Sequence, residues 1–147
     1  MITLSKVSML SLVVAAFALL TVVNAHAKDH PAYLHALTDL RAARAHLDRM
    51  GPNDRVEDAQ GRAIAQIDAA IKEIKQAAID DGKNLDDHPP VDANLKRTDR
   101  FRRALELLDK AHHDVKEDED NHFARGLQHR ALQHIDAAHR IVEHIIH

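Results

Sequence analysis

Histidine is the residue whose number and spacing point most directly to chemistry in this chain. Twelve of the 13 histidines lie after residue 27, and imidazole both binds late transition metals and titrates near pH ~6.5. An acid stands three residues before a histidine in Asp109/His112 and again in Asp136/His139. Residues three apart share one face of a helix, so each pair would present a carboxylate and an imidazole together.

These two pairs resemble half of the carboxylate–histidine arrangement found in di-metal helical bundles. At the equivalent positions of the first half of the chain stand Arg44 and Ile71, so a buried di-metal centre is disfavoured. The candidate ligands for a metal are His112, His134 and His139. The simpler interpretation is that His134 and His139 flank an apolar stripe while His129 and His144 are solvated.

A second candidate metal site depends on proteolytic processing. If the chain is cleaved after Ala27, the new N-terminus reads Lys28-Asp29-His30. An α-amine, two deprotonated backbone amides and an imidazole in third position can hold Cu(II) or Ni(II) in a square plane. A chain rich in histidine will also place one third by chance, so this pattern is a hypothesis about copper or nickel.

Residues 1–27 are predicted to be a signal peptide. Lys6 gives the positive start, residues 7–23 form an apolar run, and Ala25-His26-Ala27 offers the small-x-small pattern of a cleavage site. We therefore expect a periplasmic or secreted protein. An uncleaved N-terminal membrane anchor is the alternative for the same segment.

An internal repeat organises residues 28–147. The stretch from Ala63 to Lys72 and the stretch from Ala131 to Arg140 align without gaps at an offset of 68 positions. The same offset pairs Tyr33 with Phe101, Leu40 with Leu108 and Leu47 with Val115. We expect an all-α fold, an antiparallel four-helix bundle built from two duplicated αα-hairpins and preceded by a signal peptide helix.

The helix boundaries follow from capping and turn residues. Helix 1 is predicted from Pro31 to Met50, and helix 2 from an Asp54/Glu57 capping box to Asp80-Asp81-Gly82. Thr98 is the expected N-cap of helix 3, and helix 4 spans roughly Asn121 to Ile146. Hairpin 1 then covers about residues 30–82, residues 83–97 form a linker, and hairpin 2 covers about residues 98–147.

Composition excludes several classes of function. The net charge of −3, or −4 once Lys6 is removed with the signal peptide, gives no basic surplus for nucleic acid or an anionic membrane. The absence of cysteine excludes disulfides, thiolate metal sites and covalently attached haem. No nucleophile elbow, phosphate loop or zincin pattern is present, so we expect no enzymatic activity.

Three motifs lie along the chain: His30-Pro31-Ala32-Tyr33-Leu34, the run Asp39 to Arg44, and the run Ile67 to Lys83 continuing to Asp87-His88-Pro89-Pro90-Val91-Asp92. Together they resemble a family of small, uncharacterised exported bacterial helical-bundle proteins. The resemblance covers most of residues 28–147. It implies export and a helical bundle, and it implies no catalytic residue.

Two functions therefore compete. The first is a structural, interaction or stress-related protein of the cell envelope, monomeric or weakly self-associating, whose partner is another envelope protein or a second copy of itself. The second is a periplasmic protein that binds copper or nickel through Lys28, Asp29 and His30 and through surface histidines. Neither function requires nucleic acid, or a membrane after signal cleavage.

Overall fold

Apolar side chains at helical spacing fold the described part of this chain into four helices. The computed structural model describes residues 32–48, 54–79, 85, 95–119 and 121–147. Within them α1 spans Tyr33–Leu47, α2 Asp54–Ile79, α3 Arg97–Val115 and α4 His122–Ile146, with no strand. The prediction of an all-α fold of four packed helices is confirmed. The predicted signal peptide and most of the linker 83–97 lie outside the described residues.

The four helices stand at the corners of a square. α1 packs on α2 and α3, and α4 packs on α2 and α3, with the most extensive contact between α2 and α4. Tyr33 at the start of α1 donates a hydrogen bond to Glu119 beyond the end of α3. Arg100 near the start of α3 donates to the carbonyl of His46 near the end of α1. These contacts make α1 and α3 antiparallel.

Among the described residues, each helix contributes six side chains to a core of 24 buried apolar residues. Eleven of them are alanines, and in α2 and α4 the alanines recur every seven residues, which keeps them on one stripe of each helix. Small side chains on facing stripes allow two helix backbones to approach closely. The core residues are Tyr33, Ala36, Leu37, Leu40, Ala43, Leu47, Ala63, Ile67, Ala70, Ile74, Ala77, Ala78, Phe101, Ala104, Leu107, Leu108, Ala111, Val115, Ala124, Leu127, Ala131, Ile135, Ala138 and Val142.

The helix starts agree only in part with the capping signals. Asn121 is the N-cap of α4, and its side-chain oxygen accepts hydrogen bonds from the backbone of Phe123 and Ala124 at 2.9 and 3.3 Å. The expectation for Thr98 is wrong, because α3 already begins at Arg97. The Arg97 guanidinium lies 5.8 Å from the Phe101 ring centroid, a cation–π contact that favours the additional helical residue.

Two buried glutamines close the ends of α1 and α3. The Gln60 side-chain amide donates to the carbonyl of Leu47 at 2.8 Å. The Gln128 amide donates to the carbonyls of Val115 and Glu117, both at 2.6 Å. The last carbonyls of a helix have no partner within it, so the second helix of each hairpin supplies one. Gln60 and Leu47 lie 68 positions before Gln128 and Val115.

Replacing Gln128 with Ala is expected to lower the free energy of unfolding by about 1–3 kcal/mol, because two carbonyls lose their buried donor. Urea unfolding followed by circular dichroism measures the change. The matched control is Gln76→Ala, at an exposed position of α2, which should shift stability by less than about 0.5 kcal/mol. Equal effects of the two substitutions would contradict the role given to Gln128.

Candidate functional site

Two acid–histidine pairs meet across the α3–α4 seam. Because the two helices are antiparallel, each histidine faces the acid of the other helix rather than that of its own. His112 Nε2 lies 3.4 Å from Asp136 Oδ1, and His139 Nε2 lies 3.2 Å from Asp109 Oδ1. The four side chains line an open depression of about 290 Å³ together with Leu108, Ile135 and Arg140. We call this the His–Asp depression.

The His–Asp depression combines two half-buried imidazoles with two more exposed carboxylates. Such pairs attract each other when the imidazole is protonated, and an attraction of this kind near solvent is worth about 0–1 kcal/mol. Imidazole and carboxylate are also metal ligands. Among the described residues, however, no group of three or more histidines and acids is arranged to hold a metal ion. A metal here would require the side chains to turn away from their present partners.

The candidate ligands predicted from sequence fall in different places. His112 and His139 share the His–Asp depression, whereas His134 lies at the α2–α4 seam with Nδ1 2.7 Å from Gln66 Oε1. His129 and His144 are exposed, as expected for solvated positions. His134 and His139 are half-buried, as expected for positions beside the apolar stripe. The predicted site Lys28-Asp29-His30 lies outside the described residues.

In hairpin 1, an arginine–aspartate ion pair occupies the positions equivalent to one His–Asp pair of hairpin 2. Arg44 Nε donates to Asp68 at 2.8 Å, and Arg44 also pairs with Asp48 at 3.3 Å. The hydrogen bond to Asp68 raises the pKa of Arg44, and burial opposes it only in part. Arg44 and Asp68 lie 68 positions before His112 and Asp136. Spacing along single helices missed these interhelical pairs, because it groups only residues of the same helix.

An acid on α1 is poorly placed for ionisation. Asp39 is half-buried, and burial raises its pKa above the ordinary value of 3.8. The groups facing it from α3 act in both directions: Lys110 and Arg103 favour the carboxylate, and Asp114 opposes it. His35, on α1 itself, also favours the carboxylate. Desolvation is the largest of these effects, so ionised Asp39 destabilises the folded state.

Replacing Asp39 with Asn is expected to raise the free energy of unfolding at pH 7. A carboxyl whose pKa is raised on folding has its full unfavourable effect above the folded-state pKa, and loses that effect as pH falls below the ordinary value. The advantage of the Asn variant should therefore shrink between pH 7 and about pH 4. Urea unfolding at several pH values measures it.

The control for this prediction is Asp58→Asn, which alters an exposed carboxylate of α2. It should leave the pH dependence of unfolding close to that of the parent chain. If Asp39→Asn destabilises the bundle at pH 7, the electrostatic attraction of Asp39 to Lys110 outweighs the cost of burial, and the prediction is wrong.

No family model, curated protein or solved structure matches this chain. None of the four helices in the described part of the chain is long and apolar enough to cross a membrane. Function is therefore inferred from the contacts and charges of the chain's own residues.

Proposed function

We propose that this chain is a non-enzymatic, exported helical bundle that acts by binding another macromolecule of the cell envelope, in a structural, interaction or stress-related role. The observation that supports it is the shape of the described surface. Two of its depressions, of about 290 and 350 Å³, open along helix seams and are lined by charged side chains. A small ligand is usually held in a pocket that encloses most of its surface, whereas open charged seams suit contact with a second chain.

Export and duplication belong to the same proposal. The apolar run and the cleavage pattern of residues 1–27 support export, and the resemblance to exported bacterial bundles agrees with it. Duplication of one αα-hairpin is supported by contacts that recur 68 positions apart. Gln60 and Gln128 make the same bond to the preceding helix, and at the α2–α4 seam Gln66 meets its own counterpart, His134.

A photo-crosslinking residue placed singly at Phe123, Arg102 or Gln133 tests the interaction role. All three positions are exposed, so the fold should tolerate the change. In cells that export the full chain, illumination should give at least one adduct of reproducible mass with an envelope protein or a second copy. The adduct is detected by immunoblotting and identified by mass spectrometry.

The matched control lacks residues 1–27 and so stays in the cytoplasm. Adducts with envelope proteins should disappear from it. If no position gives an adduct in the exported chain, or if the adducts are the same with and without export, the interaction role in the envelope is wrong.

The second candidate function is binding of copper or nickel. The His–Asp depression brings His112 and His139, with two carboxylates, to one seam, but these side chains are paired with each other and would have to turn to bind an ion. The terminal sequence Lys28-Asp29-His30 supports it independently if cleavage follows Ala27. His134 has a hydrogen-bonding neighbour in Gln66 and would contribute only after breaking that contact.

A titration of the exported, processed chain with Cu(II) and Ni(II) tests this alternative, after mass spectrometry has located the N-terminus. A terminal site should bind one ion tightly with a visible d–d absorption band, because all four donors lie in one plane. His30→Ala should abolish the band, while His112→Ala combined with His139→Ala should leave it unchanged. Weak binding to several sites that is unchanged by His30→Ala would exclude a terminal metal site.

A further inference from the structure

The α2–α4 seam carries an arginine–carboxylate pair on one side of its centre. Gln66 and His134 meet at that centre, 68 positions apart in sequence. Arg130 of α4 reaches across the seam to Glu73 of α2, with Nε and Nη2 at 3.1 and 2.9 Å from the same carboxylate oxygen. The carboxylate is four-fifths buried and the guanidinium is half-exposed, so this pair is part of the seam.

On the other side of the centre, the two positions equivalent to Arg130 and Glu73 do not both carry the same residue types. Sixty-eight positions before Arg130 stands Arg62, and sixty-eight positions after Glu73 stands Ile141. Arg62 and Ile141 both line one depression, of about 350 Å³. An arginine is therefore retained at both ends of the seam, but at this end an isoleucine replaces the carboxylate.

The depression around Arg62 is positively charged and has an apolar floor. Its lining is Ala59, Arg62, Ala137, Arg140, Ile141 and His144, which we call the basic groove. Arg62, Arg140 and His144 are all exposed, and no acid described in the structure lines the groove. Within the described residues neither arginine is engaged in an ion pair, unlike Arg44 and Arg130.

We propose that the basic groove binds an acidic amphipathic helix of a partner protein, with one glutamate of that helix pairing with Arg62 as Glu73 pairs with Arg130. This inference rests on the proposed interaction function and names its partner class. Arginine binds carboxylates through a planar fork of donors. Apolar side chains one turn along the partner helix would contact Ala59, Ala137 and Ile141.

A synthetic peptide provides the probe. It is a labelled helical peptide with glutamate and leucine spaced four residues apart, and its binding to the exported full chain is followed by fluorescence anisotropy. Arg62→Gln and Arg140→Gln should each weaken binding about ten-fold, the loss expected when a charge-assisted contact worth about 1.4 kcal/mol is removed. Arg130→Gln, in which the replaced arginine already has its own carboxylate, is the matched control and should change binding less than about two-fold.

A gain-of-contact variant makes the test sharper. Ile141→Glu places a carboxylate where the repeat offset puts Glu73 in the other half, so Arg62 should acquire an internal partner. This variant should fold, as judged by thermal unfolding, and should lose peptide binding. If Ile141→Glu does not fold, the Arg62→Gln and Arg130→Gln comparison decides alone.

Further outcomes separate specific binding from general attraction of charge. A peptide with glutamine in place of glutamate should not bind, and duplex DNA should not compete with the glutamate peptide. If DNA competes, or if Arg62→Gln and Arg130→Gln act alike, the groove does not recognise an acidic helix. If the groove variants behave as expected while crosslinking in cells finds no partner, the groove inference stands and the proposed envelope role fails.

Discussion

Alanine stripes on α2 and α4 impose the constraint on which the other contacts depend. Ala63, Ala70 and Ala77 recur every seven residues in α2, and the same period appears in α4 from Ala124. Small side chains on these stripes bring the two backbones near each other. Longer polar side chains meet across this seam, as Arg130 and Glu73 do.

Several of the polar groups that this packing buries form hydrogen bonds with residues of another helix or with the segment after α3. Glu119 is 6% exposed and accepts hydrogen bonds from the Tyr33 hydroxyl at 2.6 Å and from the backbone of Asn121 at 2.9 Å. A buried carboxylate without donors would be strongly unfavourable. The bonds from Gln128 and Arg100 to helix-end carbonyls serve the same purpose. Two of these contacts, from Tyr33 to Glu119 and from Arg100 to His46, join hairpin 1 to hairpin 2.

The helices and the core could be read from the sequence because they depend on local spacing. Leu37, Leu40 and Leu47 in α1 follow the helical period, and all three are buried. The cross-helix pairs could not be read from the sequence. The pairing of Asp109 with His139 depends on the relative position of the two antiparallel helices along their axes. Spacing along one helix grouped Asp109 with His112. Thr98 was also a poor guide, because α3 begins one residue earlier, at Arg97.

The bond between Tyr33 and Glu119 also gives this protein a built-in optical probe. The chain has one tyrosine and no tryptophan, so its near-ultraviolet emission comes from a single phenol. That phenol is fully buried and joins the first residue of α1 to the segment between α3 and α4. Any event that separates the two hairpins must expose it to water, so the intrinsic fluorescence of the unmodified protein follows one defined contact.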